Sequence, residues 1–112
     1  MDFALTEEHQ IIQSAAREFA ENEIAPVAAQ YDESGEFPTE TIRAAGELGF
    51  MGVEIPERWG GAGLDSVSYA LVMTEISAAD AAHGTIVSVN NSLYGVALLR
   101  FGSDRQKEQY LA

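Results

Sequence analysis

Apolar residues return at helical spacing along the first third of the chain. Ile12, Ala16, Phe19, Val27 and Tyr31 keep to one side, while Glu18, Glu21 and Glu23 fall elsewhere. The pattern predicts a helix with a wet face, entered through Thr6 as its cap, with Glu7 and Glu8 complementing the dipole of the first turn. Pro26 lies inside it. A proline lacks an N–H and crowds the carbonyl four residues back, here that of Asn22, so a kink is expected near the last turns rather than a fresh helix. The run from Asp32 to Pro38 is turn chemistry. A short second helix follows, with Thr39 as cap, Ile42, Ala45 and Leu48 as its apolar side, and Gly49 as a left-handed stop.

Phe50-Met51-Gly52-Val53-Glu54-Ile55-Pro56 is too short and too closely bounded by Gly and Pro for a helix, and Gly60-Gly61-Ala62-Gly63 extends the irregular stretch. Beyond it the pattern changes. From Val67 to Ala79 hardly any polar side remains, as in a helix enclosed by neighbours, with Asp65 or Ser66 to cap its start. Asp80 can cap the next helix, which carries Ile86, Val87, Val89, Leu93 and Val96 to Leu99 and stops at Phe101-Gly102. Ser103 and Gln106 form a capping box for a last helix, cut off within two turns at the apolar Tyr110 and Leu111. The expected fold is all-α: one domain over residues 1–112, an orthogonal or up-down bundle of about five helices.

Charge sharpens this division. Residues 1–58 hold thirteen of the eighteen acids, whereas 59–99 hold only Asp65, Glu75 and Asp80 and no Lys or Arg, so the middle is expected to be largely buried. The net charge of −12 repels phosphate backbones and anionic lipid, which excludes nucleic acid and membrane as partners. A surface rich in acids with a single lysine, Lys107, is also one that halophiles use to stay soluble. Without cysteine there is no disulfide, thiolate nucleophile or Cys-type zinc site. The N-terminus has neither the basic start nor the apolar run of a secretory signal, which predicts a cytoplasmic protein.

Few constellations could carry chemistry. The loop Trp59-Gly60-Gly61-Ala62-Gly63-Leu64 has glycines that could cradle a phosphate, but no Lys-Ser/Thr follows it and no parallel strand precedes it, so a tight structural turn is the better reading. Glu75, the lone charge in an apolar helix, is explained more cheaply by an ion pair with Arg43, Arg58 or Arg100 than by general-base chemistry. His9 and His83 lack a second ligand at i+3 or i+4, so both read as surface or capping residues and no metal site is expected. Asn90-Asn91-Ser92 cannot be buried unpaired on one helix turn. They bond to neighbouring backbone or another subunit, or they flank a cavity.

Five stretches, taken in order, resemble the N-terminal helical domain of the flavin-dependent acyl-CoA dehydrogenases. They are Phe3 to Glu8 with Phe19-Ala20-Glu21 and Ile24-Ala25-Pro26; Gly46 to Gly52; Pro56 to Leu64; Glu75-Ile76-Ser77 with Asn91-Ser92-Leu93; and Phe101-Gly102-Ser103 with Gln106 to Leu111. Trp59 stands where the family usually has tyrosine or phenylalanine. The resemblance implies a parent enzyme with a middle β domain and a C-terminal helical domain, both absent from this chain, that hold FAD. It also implies an acyl-CoA substrate, an electron-transfer flavoprotein as partner and a homotetramer. The family's catalytic glutamate, which takes the α-proton while a hydride passes to flavin, lies in the C-terminal part, so no catalytic or cofactor-binding residue is expected here and Glu75 does not replace it. What the resemblance assigns to this chain is a wall of the acyl pocket: Thr85, Ile86, Val89 and Leu93. An ordinary core stripe remains the alternative for those four. The rival functions are a free-standing helical module that binds a partner helix, and the same domain in an acyl-CoA oxidase or nitroalkane-type relative.

Overall fold

The computed structural model describes Met1–Ala112, and every regular element in it is helical. Helix α1, Glu7–Phe19, starts at a capping box: the Thr6 hydroxyl accepts from the His9 N–H and the His9 ring accepts from the Thr6 N–H. It widens into a π-helical turn at Ala20–Ile24, and α2, Ala28–Ser34, begins only after a turn. The expected kink is therefore a break. The Ala25 N–H bonds five residues back to Ala20 and the Val27 N–H three back to Ile24, so the regular ladder fails on both sides of Pro26.

Helix α3 spans Thr39–Glu47, but Thr39 is inside it rather than capping it. Pro38 takes the cap position, and its carbonyl accepts from the Thr41 hydroxyl at 3.1 Å. Gly49 follows with φ +84°, the left-handed exit expected from its position. Residues 50–64 form loops with one 3₁₀ turn at Glu57–Trp59. Helix α4, Ser66–Ala79, is capped by Asp65, and α5, Ala81–Ser88, by Asp80, each through a backbone N–H two residues into its helix. From α5 the helix runs on through wide π-helical turns at Val89–Val96 into α6, Ala97–Phe101. The capping box of Ser103 and Gln106 opens α7, Asp104–Gln106, which widens over Lys107–Leu111.

The core forms where α1, α4 and the first loop meet: Ala16, Phe19, Ile24, Ala45, Phe50, Val53, Val72, Ile76 and Val87, with the Phe19 and Phe50 rings edge to face at 5.7 Å. The domain is a slab of 40 × 39 × 20 Å, little more than two helices thick. Its accessible surface, 7131 Å², exceeds the roughly 6,000 Å² usual for a folded chain of this mass. The expectation that residues 59–99 are largely buried is corrected accordingly. One side of α5 and α6 packs inward, but Leu93 is 72 % exposed and Phe101, just beyond that stretch, 85 %. A two-layer slab has no third layer to cover its outer face.

Candidate functional site

A groove of about 370 Å³ runs between α4 and α5, with Met73 and Ser77 on one bank and Gly84, Thr85, Ser88 and Val89 on the other. Its banks lie close because Gly84 has no side chain. A Cβ there would sit 2.2 Å from the Ser77 hydroxyl and 3.2 Å from the Ser77 Cα. Polar groups along the groove are mostly spent internally: the Thr85 hydroxyl donates to the Ala81 carbonyl at 3.1 Å, and the Ser88 hydroxyl accepts from Tyr69 at 3.2 Å. Toward the opening the Ser77 hydroxyl stands beside the methyl and thioether surface of Val89 and Met73, the apolar part being fit for a short aliphatic chain.

Thr85 and Val89 are thus brought together on this groove. Ile86, about 100° round the helix from Thr85, is half-buried and does not line it. Leu93 lies a further turn beyond Val89 and borders a different groove, of about 510 Å³, with Tyr94, Leu98 and Phe101. In the sequence the four residues form one apolar face; in the fold they divide between two hollows and the packed interior.

The isolated polar residues are all engaged. Glu75 does sit in an ion pair, but with Arg17 of α1, whose Nε and Nη2 donate to the two carboxylate oxygens at 3.1 and 2.9 Å. Arg43, Arg58 and Arg100 are not its partners, because α1 is the helix that lies along α4. The hydrogen bonds to Glu75, then its charge, raise the Arg17 pKa. Asn91 is buried and bonds entirely to backbone: its oxygen accepts from the Val53 N–H at 2.7 Å, and its nitrogen donates to the Phe50 and Val87 carbonyls, both at 2.8 Å. Asn90 donates to the Met51 carbonyl and Ser92 to that of Ser88. Asn90 and Asn91 pin the first loop to the long helix, while Ser92 bonds only within that helix.

His9 is a capping residue, as expected, and also reaches across to α4, where its Nε2 donates to Asp65 at 2.9 Å. That bond, with those from Ser68, lowers the Asp65 carboxyl to about 2. His83 departs from the surface role expected of it: it is 1 % exposed. Its Nδ1 meets Asp80 at 2.5 Å and its Nε2 meets the Thr41 hydroxyl at 2.7 Å. Burial pushes the Asp80 carboxyl up, but the hydrogen bonds from the His83 ring and backbone and the charge of His83 outweigh it and hold the carboxyl below its usual range. Thr41, His83 and Asp80 have the spacing of a nucleophile, base and orienting acid. The hydroxyl is buried, it donates to Pro38, and none of the three borders the larger hollows, so no substrate carbonyl can reach it. This constellation escapes sequence reading because Thr41 is forty-two residues from His83.

The glycine loop does not fit the pyrophosphate of FAD. The N–H groups of Gly60, Gly61, Ala62, Gly63 and Leu64 donate to Glu57, Pro56, Gly52, Ile55 and Val53 carbonyls at 2.8–3.2 Å, which leaves no amide free for a phosphate. Gly61 serves packing, since a Cβ there would lie 2.1 Å from the Ile55 carbonyl oxygen, while Gly60 and Gly63 take positive φ values of 89° and 66°. Trp59 borders a hollow of about 190 Å³ there, and its indole N–H is buried without an acceptor. No group of three or more His, Asp or Glu is placed to hold a metal, and no helix is long and apolar enough to cross a membrane.

Residues 6–112 match the family model described as acyl-CoA dehydrogenase, N-terminal domain. The chain belongs to that family. It is 46 % identical over 107 residues to the mitochondrial short-chain specific acyl-CoA dehydrogenase of Rattus norvegicus, a match that covers 96 % of this chain and 26 % of the rat protein. Butyryl-CoA dehydrogenase from Megasphaera elsdenii superposes with a TM-score of 0.88 at 33 % identity, over 99 % of this chain and 30 % of that one. A chain from a structure described as the electron transferring flavoprotein of Acidaminococcus fermentans superposes with a TM-score of 0.94 at 42 % identity, over 100 % of this chain and 30 % of that one. This acyl-CoA dehydrogenase N-terminal domain thus spans under a third of the length of these relatives. The all-helical fold and the family read from the five stretches are both borne out.

Proposed function

We propose that this domain works as part of a flavin-dependent dehydrogenase that introduces the α,β double bond of acyl-CoA thioesters, and that it supplies one wall of the acyl pocket. The groove between α4 and α5 carries the reading. Thr85 and Val89 line it with Met73 and Ser77, the Thr85 and Ser88 hydroxyls are engaged within the domain, and its width is set by Gly84. In this account Ile86 backs the wall from the packed side and Leu93 extends the apolar surface beyond it. The domain's own work is to hold the acyl tail in register and keep water from it. FAD and the catalytic glutamate belong to a middle β domain and a C-terminal helical domain, not to residues 1–112. The excess exposed surface along α5 and α6 is what those domains would cover.

Relatives named for short-chain acyl-CoA and butyryl-CoA support a short acyl chain as the substrate. An electron-transferring flavoprotein as redox partner, a homotetrameric parent and a cytoplasmic location complete the reading, and the −12 charge suits a protein kept soluble in salt. The second reading, a module for a partner helix, rests on the groove bordered by Leu93, Tyr94, Leu98 and Phe101. The full-length protein separates the two. Purified with its flavin, it should be bleached in its flavin absorbance by butyryl-CoA under anaerobic conditions. Flavin that stays oxidised with every straight-chain acyl-CoA would overturn the dehydrogenase reading.

A further inference from the structure

The groove between α4 and α5 is held at two points. Gly84 lies so close to α4 that a Cβ there would stand 3.2 Å from the Ser77 Cα, and about one turn further along α5 the Ser88 hydroxyl accepts from Tyr69 of α4 at 3.2 Å. The banks therefore keep a set distance. Most of the side chains that line them are fixed as well. Ala81 and Gly84 have no torsion that moves a heavy atom. Thr85 and Val89 branch at Cβ, which restricts χ1 in a helix, and the Thr85 hydroxyl is tied to the Ala81 carbonyl at 3.1 Å. Ser77 can turn a hydroxyl but no carbon. Met73 is the exception: an unbranched side chain with three rotatable bonds and a soft thioether, half-buried, packed on the core and bordering the groove. It alone can change the shape of the groove without breaking a hydrogen bond or leaving a rotamer well.

We propose that Met73 determines the breadth of acyl chain that the groove admits, yielding to a tail with a methyl branch while the bank of Thr85 and Val89 stays in place. This rests on the reading of the groove as an acyl site. The two banks then read different properties of one ligand. The stiff α5 bank meets the tail at Val89 and limits its length, whereas the pliable α4 bank meets it from the side and limits its width. A straight tail asks nothing of Met73. A branched tail of the same carbon count carries an extra methyl across the groove, and Met73 must change rotamer to make room for it. No sequence pattern singles Met73 out, because it lies in the run from Val67 to Ala79 where hardly any polar side remains.

Hexanoyl-CoA and isocaproyl-CoA test it in the full-length protein, since they have equal carbon number and differ only in a methyl branch beyond the carbons that are oxidised. Met73→Ile replaces the pliable chain by a stiff one of similar volume, so kcat/KM for the branched ester should fall about tenfold relative to the straight one. Met73→Ala removes the bank and should raise the same ratio. The dissociation constants of the corresponding enoyl-CoA products, which undergo no oxidation, should shift in the same sense by calorimetry. Melting temperature and flavin content report whether each variant folds. If Met73→Ala does not fold, Met73→Leu replaces it, and its ratio should lie between those of the parent and Met73→Ile. A parent that oxidises hexanoyl-CoA, with a ratio that Met73→Ile leaves unchanged, overturns the role of Met73 alone. A parent that oxidises neither ester overturns the dehydrogenase reading and this proposal with it.

Discussion

The two sides of the long helix from Ala81 to Phe101 could hardly differ more. The inner side carries His83, Gly84, Val87, Asn91 and Gly95, all buried, and its polar groups are bonded to the loop before α4 and to α3. The outer side carries Val89, Leu93, Tyr94 and Phe101, all exposed and almost all apolar. Apolar character alone therefore does not mark the interior of this helix, where Val87 is buried but Val89 and Leu93 are not. Polar residues with complete partners mark it, while the apolar surface marks what this domain offers to something else.

The comparison is broken first at Asn91. Replacing it with Ala leaves the Val53 N–H and the Phe50 carbonyl without their buried partner, and should cost about 3 kcal/mol, read as the shift in a urea melt. A loss under about 1 kcal/mol would mean that the inner side is not held by its polar bonds. The Arg17 pair comes next. The Glu75 side chain is 12 % exposed but that of Arg17 57 %, so solvent screens the pair and Arg17→Met should shift the urea melt clearly less than Asn91→Ala. Phe101→Ser should change the stability of the isolated chain by less than about 0.5 kcal/mol, because its side chain is already in water.

A smaller effect concerns the Asp65 bridge between α1 and α4. Its carboxyl binds a proton more weakly folded, at about 2, than at its ordinary value of 3.8. Its contribution is therefore complete above about pH 4 and is lost as the pH falls toward 2. In an acid titration followed by circular dichroism, Asp65→Asn should differ from the parent at neutral pH and converge with it only as the pH passes below about 2. A difference that stays constant throughout would refute the bridge.

How much of this was legible depended on distance along the chain. Asp65, Asp80, Gly49 and the Ser103–Gln106 box were read correctly because each cap acts within three residues. Thr39 was misplaced by one position because Pro38 offered no side chain to signal it. Pro26 produced a break rather than a kink because the ladder had already widened at Ala20–Ile24. The partner of Glu75 and the burial of His83 depended on which helices lie side by side, which one sequence's periodicity does not encode. Periodicity also cannot tell an apolar face buried by its own chain from one meant for another, so residues 59–99 looked more enclosed than they are.

The groove at Thr85 and Val89 is the central claim, and Val89→Phe in the full-length protein tests it most directly. Val89 is 45 % exposed in this domain, so the larger ring meets no filled core. The protein should fold and hold flavin normally, turn over the shortest acyl-CoA substrates nearly as well as the parent, and lose longer ones at least tenfold in kcat/KM, about 1.4 kcal/mol of discrimination. Leu93→Ala, on the neighbouring groove, should alter that profile far less. A chain-length profile left unchanged by Val89→Phe would contradict the assignment of this groove to the acyl chain.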